Sequence, residues 1–243
     1  MRVFVEPDVT ALSRRAADVV AEFIAAKPDT TLALPTGRTP AGLYQELLRI
    51  HRDENLDFSS TRIFNLDEYI GVHPTDNRSF DHYLRHHFLS HVNVPPESVH
   101  LMSFEADAIA CGQYENWIRA AGGIDLMIAG VGTNGHIAFN EPGSALDSRT
   151  RLVELAESTR TNMLAVFKPD EMPTHAVTMG IGTILEAKKI LVLASGQTKQ
   201  RALAGLLHGP VTTDNPVSVA RLHHDVTVIA DQEAVGEFGV RGV

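Results

Sequence analysis

The sequence has few of the features that mark disulfide-stabilised or membrane-spanning proteins. It contains one cysteine, Cys111, so an internal disulfide framework is impossible and zinc sites built from several cysteines are excluded. Cys111 lies in a predicted helix, where we expect a small core residue rather than a nucleophile. No apolar run approaches the length of a membrane span, and the first residues show no signal-peptide pattern. We therefore expect a cytoplasmic protein.

The charge balance and the motifs that are missing exclude other functions. The formal net charge is −9 and no basic residues cluster, so neither nucleic acid nor an anionic membrane is an expected partner. An anionic small substrate would therefore depend on local hydrogen-bond donors. The chain also lacks Gly-x-x-x-x-Gly-Lys-Ser/Thr and Gly-x-Ser-x-Gly, so nucleotide-phosphate and α/β-hydrolase functions have no support.

Strand and helix patterns alternate along the 243 residues. The predicted strands cover 2–5, 31–35, 60–66, 125–130, 176–180, 190–194 and 226–230, and the predicted helices cover 9–26, 40–50, 79–91, 106–121 and 197–207. The best strands are continuously apolar, which is typical of a parallel sheet with helices on both faces. We predict an α/β fold, a single Rossmann-like domain over residues 1–243 with a largely parallel sheet of about seven strands. The polar, irregular stretch 158–173 is a candidate lid.

The densest group of polar side chains follows the predicted strand 125–130. Residues 130–143 contain four glycines, one histidine and one carboxylate, and glycine at this density lets the backbone turn sharply and approach a ligand closely. His136 and Glu141 have the chemistry of an acid–base pair in which the carboxylate orients the imidazole. Ligands bind outside the carboxyl ends of the strands in such sheets. Four polar loops are predicted there: 36–39, 67–71, 131–143 and 195–199.

Two of these loops have the features of a phosphate site. Each joins a strand to a helix through a glycine, and free N–H groups at a helix N-terminus favour an anion. We expect Thr39 as the N-cap and Pro40 as the first helical residue. The candidate phosphate-binding residues are Thr36, Gly37, Arg38, Thr39 and Lys199. A plain strand-to-helix turn and a solvated lysine explain the same residues, and the local sequence leaves both interpretations open.

Two adjacent acids, Asp67 and Glu68, follow the predicted strand 60–66. Successive strand residues point to opposite faces, so only one of the two is expected to face a ligand. A carboxyl group against apolar walls has a raised pKa and can carry protons. The alternative is a pair that caps a helix or forms salt bridges.

Histidines recur at i, i+4 spacings on the predicted helix 79–91, at His82, His86, His87 and His91. We expect a solvated helix face here rather than a metal site. No other histidine pattern is followed by the acids of a metal site.

The motifs together resemble those of the glucosamine-6-phosphate deaminase family. The matching stretches are Leu34-Pro35-Thr36-Gly37 with Thr39-Pro40, Phe64-Asn65-Leu66-Asp67-Glu68-Tyr69, Gly135-His136-Ile137-Ala138-Phe139-Asn140-Glu141-Pro142 and Gly196-x-x-Lys199. They occur in the family's order and with similar spacing. The related 6-phosphogluconolactonases have Gly-His-x-Ala-Ser-Leu-Phe-Pro at the third stretch, and this chain departs from that pattern.

This resemblance implies an enzyme that converts glucosamine 6-phosphate and water to fructose 6-phosphate and ammonia. By resemblance His136, oriented by Glu141, accepts the anomeric proton during ring opening, and Asp67 moves a proton from C2 to C1. Asn134 stands where the best-studied pattern has Asp, so it would orient groups rather than relay a proton. The phosphate would bind the 36–39 turn and Lys199. Neither a metal nor an organic cofactor is implied.

Three further expectations come from the resemblance. Members include monomers and hexamers, so a homo-oligomer is possible. Members often carry Asn-x-Arg-Phe in the lid, and residues 159–167 lack that arginine, so we hypothesise that Arg38 replaces its charge. Activated members carry a basic residue two positions after the match to Arg151 and an aromatic, basic tail. Here Val153 and the tail 239–243 differ, which predicts no activation by N-acetylglucosamine 6-phosphate.

Two alternatives to the deaminase remain. One is a 6-phosphogluconolactonase-like hydrolase or a simple sugar-phosphate isomerase on the same fold. The other is a sugar-phosphate sensor without catalysis. The presence of Asp67, His136 and Glu141 favours an enzyme over the sensor.

Overall fold

Seven strands form one parallel sheet in the computed structural model, which describes residues 1–238. The strands of the chain are β1 Arg2–Glu6, β2 Thr31–Leu34, β3 Arg62–Asn65, β4 Asp67–Tyr69, β5 Val99–His100, β6 Leu126–Gly130, β7 Arg151–Glu154, β8 His175–Thr178, β9 Lys189–Ala194 and β10 Val226–Asp231. The order of the large sheet is β1-β10-β9-β6-β2-β3-β5, and all its neighbours pair in parallel. This arrangement confirms the predicted α/β fold.

Helices cover both faces of the sheet, as predicted. They are α1 Val9–Ala26, α2 Arg38–Asp53, α3 Phe80–His87, α4 Ala108–Ala120, α5 Glu157–Met163, α6 Ile181–Leu185, α7 Gln200–His208 and α8 Gln232–Val235. Leu126 and Ile128 of β6 pack with α1, α2 and α3, whereas Met127 and Ala129 pack with α4, α6, α7 and α8. The alternation follows from the two-residue period of a strand. Cys111 has a free thiol and is buried in the core that contains Met127 and Ala129, as expected for a small core residue.

A second sheet of three antiparallel strands, β4-β8-β7, was not predicted. The predicted strand 60–66 exists as the shorter β3, and the prediction missed only that the chain leaves the large sheet after Asn65 and begins β4 at Asp67. The predicted strand 176–180 exists as β8 but lies in the small sheet, while the short β5 takes a place in the large one. Met179 N–H donates to Leu66 O at 2.8 Å and ties the two sheets together.

The N-terminus of α2 differs from the prediction that Thr39 caps it. The helix begins at Arg38, and the N-cap is Gly37, whose φ of +113° suits glycine. Thr39 and Pro40 therefore lie inside the first turn. No side chain caps this end, which leaves its first N–H groups available to a ligand.

Two other boundaries and the description of one irregular stretch were predicted incorrectly. The predicted helix 79–91 stops at His87, because Phe88 leaves helical geometry and a 3₁₀ turn, Leu89–His91, follows. The predicted helix 197–207 opens with a 3₁₀ turn, Gln197–Lys199, before α7. The stretch 158–173 is not irregular throughout, because α5 occupies its first part. Within residues 1–238, no helix combines the length and apolarity that crossing a membrane requires.

Candidate active site

Four neighbouring strands deliver the four predicted polar loops to one edge of the sheet. The strands β9, β6, β2 and β3 are adjacent in that order and parallel, so the segments 195–199, 131–143, 36–39 and 67–71 all follow their carboxyl ends. Adjacent strands lie about 4.8 Å apart, so the loops are close neighbours. From β2 the chain adds β3 and β5 on one side of the sheet, and it then adds β6, β9 and β10 on the other side. A crevice opens at such a switch point, here between β2 and β6. The loop after β6 is the central one.

His136 lies directly over the backbone of that central loop. A Cβ added to Gly132 would meet three imidazole atoms at 2.3–2.4 Å, so only glycine leaves room for the ring. The loop closes on itself, because Gly132 N–H donates to His136 O at 2.8 Å. His136 Nδ1 is buried and lies 3.4 Å from Glu141 Oε2, which is an ion-pair distance without hydrogen-bond geometry. The structure therefore places the predicted pair side by side.

Glu141 receives additional polar contacts that fix its orientation. Asn134 Nδ2 donates to Glu141 Oε2 at 2.7 Å, and the Thr159 hydroxyl donates to Oε1. Burial acts to raise the pKa of Glu141, but the contacts with His136, Thr159 and Asn134 outweigh it, and the pKa is lowered. Glu141 therefore stays ionised behind the imidazole. Thr159 belongs to α5, so the candidate lid contacts the acid–base pair directly.

Asn134 connects the backbone of the loop to this carboxylate. Its Oδ1 accepts from His136 N–H at 3.1 Å, while its Nδ2 donates to Glu141 and, at 3.4 Å, to Ser158 Oγ. An amide can donate and accept at the same time, which an ionised Asp at this position cannot do. Asn134 therefore holds His136 and Glu141 in a fixed relation.

The far end of the loop is fastened to the small sheet. Asn140 is fully buried, and its Nδ2 donates to Ile137 O and Met179 O. Arg151 Nη1 donates to Asn140 Oδ1 at 2.9 Å, and Phe139 N–H donates to Thr178 Oγ1 at 3.1 Å. Since Asp67 pairs with Thr178 in the same sheet, β8 joins the loop to Asp67.

Asp67 and Glu68 occupy different environments, as the strand alternation predicted. Burial, together with the charge of Glu68, raises the pKa of Asp67 to about 8. Glu68 accepts hydrogen bonds from Ser79 Oγ and from the N–H groups of Phe80 and Asp81, so it caps the start of α3. The helix-capping interpretation therefore holds for Glu68. The Asp67 carboxyl group accepts no hydrogen bond within residues 1–238, and Asn65 Nδ2 instead binds the Asp67 backbone O at 2.8 Å.

The turn 36–39 has the geometry of an anion site. Within the described part of the chain, no acceptor outside the helices and strands binds the N–H groups of these four residues. Thr36 and Thr39 are partly buried, whereas Gly37 and Arg38 are exposed. Arg38 has no carboxylate within 4.0 Å in the described structure. Its charge is free to meet an anion.

Lys199 is held at the same edge by the loop after β9. Asp231, at the end of β10, accepts from Ser195 Oγ at 2.6 Å and from Gly196 N–H at 3.0 Å. Burial and then the charge of Arg38 lower the pKa of Lys199. The two cations are therefore near each other, and neither has an acidic partner among residues 1–238. Two close cations without a counter-ion favour a bound phosphate.

The histidine-rich face of α3 takes no part in these contacts. His82, His86 and His87 lie against one another, with ring centroids 5.0–5.8 Å apart. No group of three or more His, Cys, Asp or Glu side chains in the described structure is arranged to hold a metal.

Comparison with known proteins assigns the chain to a family. The family model described as glucosamine-6-phosphate isomerases/6-phosphogluconolactonase matches residues 7–229. A glucosamine-6-phosphate deaminase from Thermoanaerobacter sp. (strain X514) is 43% identical over 237 residues, 96% of this chain and 94% of that protein. One from Bacillus velezensis (strain DSM 23117 / BGSC 10A6 / LMG 26770 / FZB42) is 44% identical over 228 residues, 93% of this chain and 95% of that protein. The chain belongs to this family.

Solved structures agree with this assignment and with the fold. A structure described as a monomeric glucosamine-6-phosphate deaminase has a TM-score of 0.93 at 42% identity, covering 96% of this chain and 98% of that chain. The 6-phosphogluconolactonase from Trypanosoma cruzi has a TM-score of 0.78 at 22% identity, covering 99% of this chain and 97% of that chain. The second similarity shows a shared fold alone. The family resemblance seen in the sequence motifs is confirmed.

Three contributors to the site were missed by sequence reasoning. Thr159 binds Glu141, Asp231 shapes the Lys199 loop, and Asn65 fixes the backbone at Asp67. The polar stretch around Thr159 and the motif around Asn65 drew attention to those regions without indicating the contacts. Asp231 follows a predicted strand, and a polar residue at that place was the available signal.

Proposed function

We propose that the chain is a glucosamine-6-phosphate deaminase that converts glucosamine 6-phosphate and water to fructose 6-phosphate and ammonia. The observation that carries this proposal is a buried carboxyl group of raised pKa, Asp67, at the same sheet edge as the His136–Glu141 pair. An aldose–ketose isomerisation needs one group to open the ring and another to move a proton between neighbouring carbons. The names of the relatives support the same activity.

Ring opening is the role that we assign to His136. The imidazole accepts the proton of the anomeric hydroxyl and passes it to the ring oxygen as the ring C–O bond breaks, which leaves an aldehyde at C1 and a hydroxyl at C5. Glu141, ionised and 3.4 Å from Nδ1, stabilises the positive charge that forms on the ring. Asn134 forms hydrogen bonds with both residues and so holds them in a fixed relative position.

Proton transfer from C2 to C1 is the role that we assign to Asp67. Its ionised form removes the C2 proton to give an enol with the amine still on C2, and its protonated form returns the proton to C1. The product is an imine at C2, to which water adds before ammonia leaves. A pKa of about 8 suits both halves, because the group must alternate between ionised and protonated states.

The phosphate group of the substrate is assigned to the 36–39 turn, Arg38 and Lys199. Arg38→Ala removes one of two neighbouring cations, so we expect the Michaelis constant to rise about tenfold, in line with the loss of a charged hydrogen bond, while kcat changes little. An unchanged Michaelis constant would show that Arg38 does not replace the arginine missing from the lid. Arg62→Ala, on another part of the sheet, serves as the control.

Residues 158–173 are proposed as a lid over this site. Thr159 and Ser158 already contact Glu141 and Asn134, and Met163 and Phe167 pack in an apolar cluster with Tyr69 and Phe139. Closure of this segment excludes water while the enol exists, which prevents side reactions.

A coupled assay that measures both fructose 6-phosphate and ammonia tests the proposal. We expect the wild type to form them in equal amounts and Asp67→Asn to lose a factor of about 10² to 10⁴ in kcat. The assay is repeated with 6-phosphogluconolactone to test the lactonase alternative. A wild type that releases no ammonia would refute the function, and an active Asp67→Asn variant would refute the proton transfer.

A further inference from the structure

Tyr83 connects α3 to the 36–39 turn. Its hydroxyl donates to Gly37 O at 2.6 Å, across 46 positions of sequence. The ring is partly buried, stacks edge-on against Tyr44 with centroids 6.3 Å apart, and contacts His87 at 4.3 Å. Burial raises the pKa of Tyr83 to about 12, so the hydroxyl keeps its proton and stays a donor at neutral pH.

The direction of the Gly37 carbonyl determines the direction of the next N–H group. A peptide bond is planar and trans, so the Arg38 N–H points opposite to Gly37 C=O. Gly37 is the N-cap of α2, and Arg38 N–H is the first free donor of that helix. Holding the carbonyl toward Tyr83 therefore holds the N–H toward the open end of the helix, where Lys199 stands close to Arg38.

Glycine at position 37 makes such a restraint necessary. Its φ of +113° lies in a region that glycine enters freely, and the space where a Cβ would lie is open, so no neighbour packs against the turn from that side. No side chain caps α2, so no capping side chain fixes the turn from within. The Tyr83 hydroxyl is an external restraint on this peptide.

We propose that Tyr83 is a positioning residue for phosphate binding, whose hydroxyl orients the Gly37–Arg38 peptide so that the Arg38 N–H meets the phosphate. This inference rests on the proposed function of the 36–39 turn. Tyr44 acts in parallel on the preceding peptide, because its hydroxyl donates to Pro35 O at 2.6 Å. Tyr44 is fully buried in the core, so Tyr83 is the one whose hydroxyl can be removed with little risk to folding.

The α3 helix thereby links the two halves of the site. Its first turn is capped by Glu68, the neighbour of Asp67, and its second turn carries Tyr83. The proton-transfer residue and the phosphate turn are thus positioned by one rigid element. Alignment of a bound phosphate with a distant reacting carbon depends on such a connection.

Tyr83→Phe removes only the hydroxyl and is the test. One hydrogen bond is worth about three- to tenfold in binding, so we expect the Michaelis constant for glucosamine 6-phosphate and the inhibition constant of inorganic phosphate to rise together by that factor. We expect kcat to stay within about twofold. His86→Ala, on the exposed side of the same helix, is the matched control and should change neither constant.

Direct titration of inorganic phosphate by calorimetry separates this inference from the proposed function. If the wild type releases no ammonia but Tyr83→Phe still binds phosphate three- to tenfold more weakly, the function fails and the role of Tyr83 stands. If the wild type is an active deaminase and Tyr83→Phe binds phosphate as the wild type does, the role of Tyr83 is refuted. A fall in kcat and thermal stability with unchanged phosphate binding would also refute it, because that pattern indicates a purely structural bond.

Discussion

Neighbouring carboxyl groups at the start of β4 show how surroundings assign different roles to similar residues. Burial raises the pKa of Glu68, but a hydroxyl and backbone N–H groups at the start of α3 donate to this carboxylate and oppose that shift. Asp67 has no such donors within residues 1–238, so burial and the charge of Glu68 favour its protonated form. One carboxyl group is fixed in place by α3, and the other is left free to exchange a proton with a ligand.

The pH dependence of stability should reveal the raised pKa of Asp67. Between pH 4 and 8 the native state retains a proton that an unfolded Asp, with a pKa of 3.8, has lost. Wild-type stability therefore falls as pH rises through this window, by up to about 1.4 kcal/mol per pH unit. Asp67→Asn does not titrate, so its stability relative to wild type should increase from pH 5 to pH 8 and level off above that.

Urea unfolding of both proteins at pH 5 and pH 8 measures this difference. Asp57→Asn is the control, because hydrogen bonds from Ser59 and Asn93 lower the pKa of Asp57, and its titration lies below the window. A stability difference between Asp67→Asn and wild type that is equal at the two pH values would contradict the raised pKa.

Gly132 should be necessary for catalysis but not for folding. An alanine Cβ would overlap the His136 ring, which can rotate away at the cost of its contact with Glu141. We expect Gly132→Ala to lower kcat about 100-fold, since a misplaced catalytic group costs about that much, with little change in melting temperature. Gly130→Ala is the matched control, because no atom lies within 4 Å of its added Cβ. Similar kcat values for the two variants would disprove this role of Gly132.

The sequence predicted the chemistry of the site better than its contacts. Glycine density marked the loop that holds His136, and strand alternation separated Asp67 from Glu68. The hydrogen bond from Thr159 to Glu141 could not be predicted, because it depends on how α5 docks rather than on any local pattern. The two tyrosine hydroxyls at the 36–39 turn escaped notice for the same reason.

At the level of elements, α5 and the chain after it are joined to the site by apolar and ionic contacts. Phe167 lies edge-on to Tyr69 with centroids 5.4 Å apart. Arg78 stacks over Phe167 at 4.7 Å and donates to Glu171 at 2.6 Å. These contacts lie outside the two main cores, and a small, separate cluster of this kind opens more easily than a core does. Such a segment suits a lid.

Ligand binding should therefore slow amide hydrogen exchange in 157–167 more than elsewhere. The ligand for this experiment is the open-chain amino-alditol phosphate that results when the C1 aldehyde of the substrate is reduced. It cannot isomerise, because it has no carbonyl group at C1. Because it would add contacts to the inner face of α5, we expect exchange there to slow about tenfold, which corresponds to about 1.4 kcal/mol of added protection. The core helix α1 is the internal control. Exchange in 157–167 that is unaffected by saturating ligand would argue against a lid.

Element boundaries were less predictable than element types. Thr39-Pro40 has the pattern of a helix start, but the helix begins earlier, at Arg38, because the positive φ of Gly37 completes the turn without a side-chain cap. Residues 60–66 were predicted as one strand with a polar loop after it, yet the chain passes from the large sheet to the small one between Asn65 and Asp67. Local propensity cannot detect such a change, because both sheets accept the same residue types.

At the scale of the whole molecule, strand order determines which loops can act together. The loops after β9, β6, β2 and β3 come from residues spread between 36 and 199, and only the order of the sheet makes them neighbours. The sequence predicted that the loops lie at one edge, since parallel strands share their direction. It could not predict that β6 lies between β2 and β9. That placement puts the loop that carries His136 between the 36–39 turn and the loop that carries Lys199.

For the molecule as a whole, we predict that N-acetylglucosamine 6-phosphate does not activate catalysis. Val153, at the position where by resemblance activated members have a cation, packs against the apolar cluster of Tyr69, Phe139 and Phe167. An anionic effector gains nothing from this side chain, and a ligand without differential affinity for two states cannot shift their populations. The tail 239–243, which also differs from that of activated members, lies outside the described residues.

Initial rates measured against glucosamine 6-phosphate, with and without the acetylated sugar, test this prediction. We expect hyperbolic curves in both cases and at most weak competition between the two sugars, because both carry the phosphate that the 36–39 turn and Lys199 would bind. The competition should weaken in Arg38→Ala, which ties it to the active site rather than to a second site. Sigmoidal curves that the acetylated sugar renders hyperbolic would instead require a coupled effector site. Since Val153 carries no charge, another residue of the chain would then have to bind the phosphate of the effector.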